Sequence, residues 1–205
     1  MSNGNQTAPR RKYRKRRRAE LEDETRLRIT EAAVELHGSV GPARTTISAV
    51  AERAGVQRAT VYRHFPDEEA LFGACSAHWL SQHPLPDLAA WAAVGDPEER
   101  LRTALADLYA WYETAEGMLE RTTRDASLVP AMRAPAERMG AWLAEAVATI
   151  VRGRPERGGR RRRVEAAVGH AVTFASWRSL ARDQGLAGSE AVGLMCGLVS
   201  AAAQK

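Results

Sequence analysis

TTISAVAERAGVQRATVYRHFPDEEALF, residues 45–72, is the stretch that decides the fold. Thr45 and Thr46 offer hydroxyls that can cap a helix, and Ile47, Val50, Ala51 and Ala54 follow at the i, i+3, i+4, i+7 spacing of one buried face. Gly55 stops that helix and leaves room only for a tight turn before a second helical stretch, 57–65. There Val61 and Phe65 face inward, while Arg58, Ala59, Tyr62 and Arg63 face outward. Two short helices joined at a glycine turn make a helix-turn-helix, and an outward face carrying Arg58 and Tyr62 can enter a DNA major groove.

Upstream, Ile29, Ala32, Ala33 and Leu36 repeat at the same spacing and predict a first helix that ends at 38–42. Residues 1–22 mix small polar residues with Arg10, Arg11, Lys12, Arg14, Lys15, Arg16, Arg17 and Arg18, eight of the 30 basic residues, and read as a flexible arm. The formal net charge is +5, but without residues 1–20 basic and acidic groups are nearly balanced. A charge so placed, with no apolar face beside it, points to nucleic acid rather than a membrane surface.

The 44% hydrophobic content is rich in Ala and Leu and only 6% of the chain is aromatic, so the fold class expected is all-α. Glu68 to Leu80 reads as a connecting helix, and Pro84 and Pro86 prevent its continuation. Asp96, Pro97 and Glu99 start a helix with the stripe Leu101, Leu105, Leu108, Tyr109 and Tyr112. Residues 114–135 read as irregular or briefly helical. Met139, Trp142, Leu143, Ala146, Val147 and Ile150 define another helix, and Arg152 to Arg163 read as a solvated loop. Val164, Val168, Ala171, Val172 and Ala175 begin a long helix that stops near Gly185, and Ser189 caps the last helix, with Ala191, Leu194, Met195 and Leu198 inward.

Enzyme chemistry finds no support. The chain has no P-loop, dinucleotide fingerprint, nucleophile elbow or metal-spaced histidine pair, and His170 has no partner at i+3 or i+4. No catalytic residue, metal or cofactor is therefore expected. Cys75 and Cys196 stand far apart without a pairing motif, no apolar run reaches membrane-spanning length, and the basic N-terminus leads into acids, so the expected location is the cytoplasm.

Residues 45–72 resemble the DNA-binding domain of the TetR family of repressors, whose pattern runs close to TT-x-x-x-[IV]-A-x-x-A-G-V-x-x-x-T-[LV]-Y-x-[HY]-F-x-x-K-x-x-L. The resemblance implies that Thr46, Tyr62 and His64 hold the DNA backbone and that Ser48, Arg58 and Ala59 lie nearest the bases. Two positions depart from it. Glu68 stands where a lysine near the DNA backbone is usual, and His37 where an aromatic core residue is common. Arg14, Arg16, Arg17 and Arg18 of the arm are expected on phosphates or in the minor groove, in part compensating for Glu68; a role-free solvated tail is the alternative.

The resemblance also implies a dimer built on the last two helices. Val168, Ala171, Val172, Ala175, Gly193, Leu194, Gly197 and Leu198 are the interface candidates, with Gly193 and Gly197 allowing close helix approach. A small-molecule effector is expected among Tyr109, Tyr112, Met118, Trp142, Phe174 and Trp177, with Trp79 and Trp111 also available, although such stripe aromatics equally suit a plain core. The organisation expected is an arm (1–22), a helix-turn-helix domain (23–70) and a helical ligand-binding and dimerisation domain (71–205). Its function would be to hold a palindromic double-stranded operator as a homodimer and to release it when the effector binds; an architectural DNA binder without effector is the rival reading.

Overall fold

The computed structural model describes residues 8–204, with side chains from Tyr13 onward, and shows helices without a strand among them. The elements are α1 (Ala8–Ser39), α2 (Ile47–Arg53), α3 (Arg58–His64), α4 (Glu68–Gln82), α5 (Leu88–Ala93), α6 (Pro97–Asp125), α7 (Arg133–Ile150), α8 (Gly158–Ala171), α9 (Phe174–Arg178) and α10 (Gly188–Gln204).

Local chemistry explains half of the ten α-helix starts among the described residues. The side chains of Thr46, Asp67, Asp87, Asp96 and Thr173 each accept a backbone N–H from the first turn they precede. Gly55 takes φ +64° in the α2–α3 turn, where a side chain would be strained. Around this turn Ile29, Ala33, Val50, Ala51, Val61, Phe65, Leu71 and Cys75 form one small core.

The second and larger core lies in α5–α10, where Leu101, Leu105, Leu108, Ile150, Val164, Val168, Trp177, Ala191 and Val199 are buried. α6 runs through it and packs on α10, α7, α5 and α9, and its far end reaches α1 and the turn at Pro42–Arg44. At that end the Asp125 carboxylate, 2% exposed, accepts the Ala43 N–H at 3.0 Å and the Arg124 guanidinium at 2.7 Å. The Arg124 hydrogen bond holds the Asp125 carboxyl below the usual carboxylate range. Arg121 donates to the last carbonyl of α1, that of Ser39. Gly41, at φ +94°, makes the approach possible, because a Cβ there would lie 2.5 Å from Asp125 Oδ2.

Five expectations need correction. The arm is helical over 8–22: α1 is continuous from Ala8, in a sequence of strong helix formers with Arg16–Glu20 and Arg18–Glu22 pairs at i, i+4. Residues 1–7 lie outside the described residues. The irregular stretch expected from 114 is helical to Asp125, since no proline or capping residue interrupts it and Ala115 is buried. A short helix, α5, follows the proline segment and buries Trp91, whose Nε1 donates to Asp107 at 2.8 Å.

The supposed loop 152–163 is half structure: α8 begins at Gly158, and Arg154 is buried against Glu98 and Glu156. The single helix expected over 164–185 is broken, because α8 ends at Ala171, Thr173 caps α9, and a π-helical turn follows at Ser179–Asp183. The hydroxyls of Tyr109 and Tyr112 donate to the freed carbonyls of Ala171 and Val172 at 2.9 and 2.6 Å, which satisfies the helix end inside the core. Leu194 and Leu198, expected inward, are 52% and 44% exposed.

His37 is buried and stacked on Phe72, with ring centroids 4.5 Å apart, and burial lowers its pKa from 6.5 to about 4. The unfolded chain takes up this proton near 6.5 while the folded chain resists it. Stability is therefore whole above that pH and declines as pH falls toward 4, by up to about 3 kcal/mol. Urea unfolding at pH 7 and pH 4.5 should show a steeper loss for the wild type than for His37→Phe, which keeps the stack and has no proton to gain. Equal losses would contradict a buried neutral His37.

Candidate nucleic-acid interface and aromatic core

The outward face expected on α3 is present. Arg58, Ala59, Tyr62 and Arg63 are exposed, Tyr62 to 48%, while Val61 and Phe65 fix the opposite side in the core. Thr46 and Ser48 are exposed at the start of α2, where Thr46 Oγ1 accepts the Ala49 N–H at 3.1 Å. The backbone geometry between the two sets is fixed by the Thr46 cap and by Gly55.

His64 fits less well. It is half-buried, and its Nε2 is enclosed without a partner. Sequence reading missed the residue that anchors this end of α3. Arg26 of α1 lays its guanidinium 4.2 Å from the Phe65 ring centroid and donates Nη1–H to the His64 carbonyl at 2.7 Å. It stands three residues before Ile29 at the edge of the α1 stripe, which is the signal that could have found it. On the exposed part of α1, Arg16 and Arg18 pair with Glu20 and Glu22, so half of the four expected arm contacts are engaged within the helix.

The expected effector residues do not converge as a set. Tyr109, Tyr112, Phe174 and Trp177 gather in one aromatic cluster, with Tyr112 centroids 5.5 Å from Phe174 and 5.8 Å from Trp177. Trp111, Trp79 and His83 continue it, Trp79 and His83 stacked at 4.5 Å. Trp142 belongs instead with Trp91, and Met118 reaches Gly38 of α1. The cluster is closed: Tyr109, Tyr112 and Trp177 are buried, and burial pushes both tyrosine pKa values up. Trp177 Nε1 is the exception in this packing, a buried donor with no acceptor among the described residues. His170 is exposed, with Nε2 3.2 Å from Ser176 Oγ, and no group of three or more potential metal ligands occurs among the described residues.

Residues 29–75, the first core and both helices of the turn, match the family described as bacterial regulatory proteins, tetR family. Residues 29–75 thus form a DNA-binding domain of the TetR type. The HTH-type transcriptional regulator SrpR of Pseudomonas putida is 38% identical over 87 residues, which span 38% of this chain and 40% of that regulator. The likeness of fold to solved structures extends well beyond this stretch. The structure of NalD, the secondary repressor of the MexAB-OprM multidrug efflux pump in Pseudomonas aeruginosa, aligns at TM-score 0.58 and 21% identity over 89% of this chain and 97% of NalD. FadR from Bacillus subtilis, in complex with stearoyl-CoA, aligns at TM-score 0.54 and 15% identity over 87% and 97%.

Against that fold, the expected TetR-type interface needs revision. Val168, Ala171 and Val172 are 0–2% exposed inside the protomer's own core and cannot meet a partner. Ala175, Gly193, Leu194, Gly197 and Leu198 are exposed, the last four along one side of α10.

Arg26 provides a charge-assisted hydrogen bond and a cation–π contact to the end of α3, each worth about 1 kcal/mol at a partly exposed site. Arg26→Met should keep the fold and lower its unfolding free energy by about 1–2 kcal/mol in denaturant titration. No change in midpoint would show that Phe65 alone positions α3.

Proposed function

We propose that the protein is a transcriptional repressor that binds a palindromic double-stranded operator as a homodimer and is released by a small-molecule effector. The observation that carries the DNA reading is the outward face of α3, where Arg58, Ala59 and Tyr62 stand clear on a helix pinned from behind by Val61, Phe65 and Arg26. An exposed Arg at the start of such a helix can take guanine O6 and N7 together, and a two-fold dimer demands a two-fold site. Identity to an HTH-type transcriptional regulator supports the class. The basic part of α1, including Arg14 and Arg17, adds phosphate contacts that carry no sequence information.

The dimer surface is the exposed strip Gly193, Leu194, Gly197 and Leu198 on α10. The effector enters the cluster of Tyr109, Tyr112, Phe174 and Trp177, where the unsatisfied Trp177 Nε1 would donate to a polar atom of the ligand. Because the cluster is closed without ligand, entry must part α9 from α6 and so favour a second arrangement of the domains. The expected location is the cytoplasm; no helix among the described residues is long and apolar enough to cross a membrane.

Two experiments test this. In footprinting and binding titrations, Arg58→Ala should cost about 1–3 kcal/mol on the operator and relax specificity at one position of each half-site. Equal weakening on operator and random DNA would make Arg58 a phosphate contact. Gly197→Leu should give monomers in sedimentation, and the protomer should tolerate it, because a Cβ there meets nothing within 4 Å. A folded, intact dimer of this variant would remove α10 from the interface.

A further inference from the structure

A cavity of about 420 Å³ opens between the two domains, bounded by α1, the start of α2, the start of α4 and the segment after α6. Its walls mix apolar and polar surface, the apolar part coming from Leu71, Phe72, Leu128, Val129 and Pro130 among others. Leu128 is 68% exposed at this cavity, so a large apolar side chain stands at its edge with little of the chain over it. The cavity is separate from the aromatic cluster, which supplies none of its lining.

Its polar side chains are those of His37, Thr45, Thr46 and Glu68, and the one charge among them is negative. Glu68 is the only charged side chain lining it, and it makes no ion pair among the described residues. Asp67 caps α4 beside it, so Glu68 is not occupied as the helix cap. His37 also lines the cavity, held neutral by burial, and its ring nitrogens have no hydrogen-bond partner among the described residues. A neutral imidazole adds one donor and one acceptor but no positive charge.

We propose that this interdomain cavity binds a small organic cation with an apolar body, its charged head beside Glu68 and its body against Phe72, Leu128 and Pro130. An anion would meet the unpaired carboxylate, and an uncharged ligand would leave it unused. The site is distinct from the proposed effector site in the aromatic cluster, since it lies elsewhere and binding there requires no DNA. Its walls include Pro42 and Ala43, tied to Asp125, and Thr46, the cap of α2, so an occupant touches both the link between the domains and the first helix of the turn.

Calorimetry on the full chain without DNA tests it, with octyltrimethylammonium as the probe and octanol as its uncharged counterpart. Saturable binding of the cation is expected at one site per protomer, with methyl NMR shifts centred on Leu128 and Val129. Binding should weaken about threefold to tenfold in Glu68→Gln, as a partly exposed charge pair allows, and further in Glu68→Lys. Phe174→Ala should bind as the wild type does. The proposal is overturned if octanol binds as tightly, if the Glu68 variants match the wild type, if no saturable binding occurs, or if Phe174→Ala abolishes binding and the shifts centre on 174–180. The last result would place the cation in the aromatic cluster. Failure to find an operator would leave all these readouts intact.

Discussion

The buried carboxylate of Asp125 ties the molecule together. It ends α6, a helix whose turns from Leu101 to Ala115 are embedded in the large core, and it receives the N–H of Ala43 in the turn that launches the helix-turn-helix. A carboxylate out of water needs its acceptor capacity filled, which the Ala43 amide and Arg124 do here. The contact is possible only because Gly41 has no side chain. The position of α2, and through it of α3, is thus referred to a helix of the second domain by a short polar link, beside the apolar contact of Phe72 with Ala131 and Met132.

That other end has its own weak point. The break between α8 and α9 exposes helix-end carbonyls inside the core, and Tyr109 and Tyr112, both on α6, satisfy them. The same tyrosines pack on Phe174 and Trp177, so the aromatic cluster, the helix break and α6 are one connected arrangement. A ligand that displaced either hydroxyl would have to replace a buried hydrogen bond, whereas one that used the idle Trp177 Nε1 would gain one. If the proposed effector enters there, this asymmetry would favour one with a hydrogen-bond acceptor among apolar atoms.

Much of the helix-turn-helix half was legible because its information is local. The Thr46 cap, the Gly55 turn and the inward positions of Val50, Ala51, Val61 and Phe65 all follow from spacing within one short stretch, and each stands where the spacing put it. Arg26 was not legible, since its partners lie 38 residues away or more. The arm was misread for a physical reason: its composition cannot bury a core, but Arg–Glu pairs and good helix formers let it continue a helix nucleated by the core downstream.

In the second domain the sequence determined that helices with apolar stripes exist, and not which body each stripe faces. Val168 and Leu198 look alike in a periodic pattern, yet one is sealed in the protomer and the other is bare on its surface. Periodicity records that a side of a helix avoids water, and only the assembled fold decides whether the cover comes from the same chain. The break after Ala171 depends likewise on tyrosine hydroxyls some sixty residues earlier in the chain. The sequence by itself determined the all-helical class, the helix-turn-helix and its outward residues, because caps, turns and helical spacing act over a few residues. The tertiary structure alone decided the closed aromatic cluster, the Asp125 link and the cavity beside Glu68, because each is made by groups that meet only when distant segments pack.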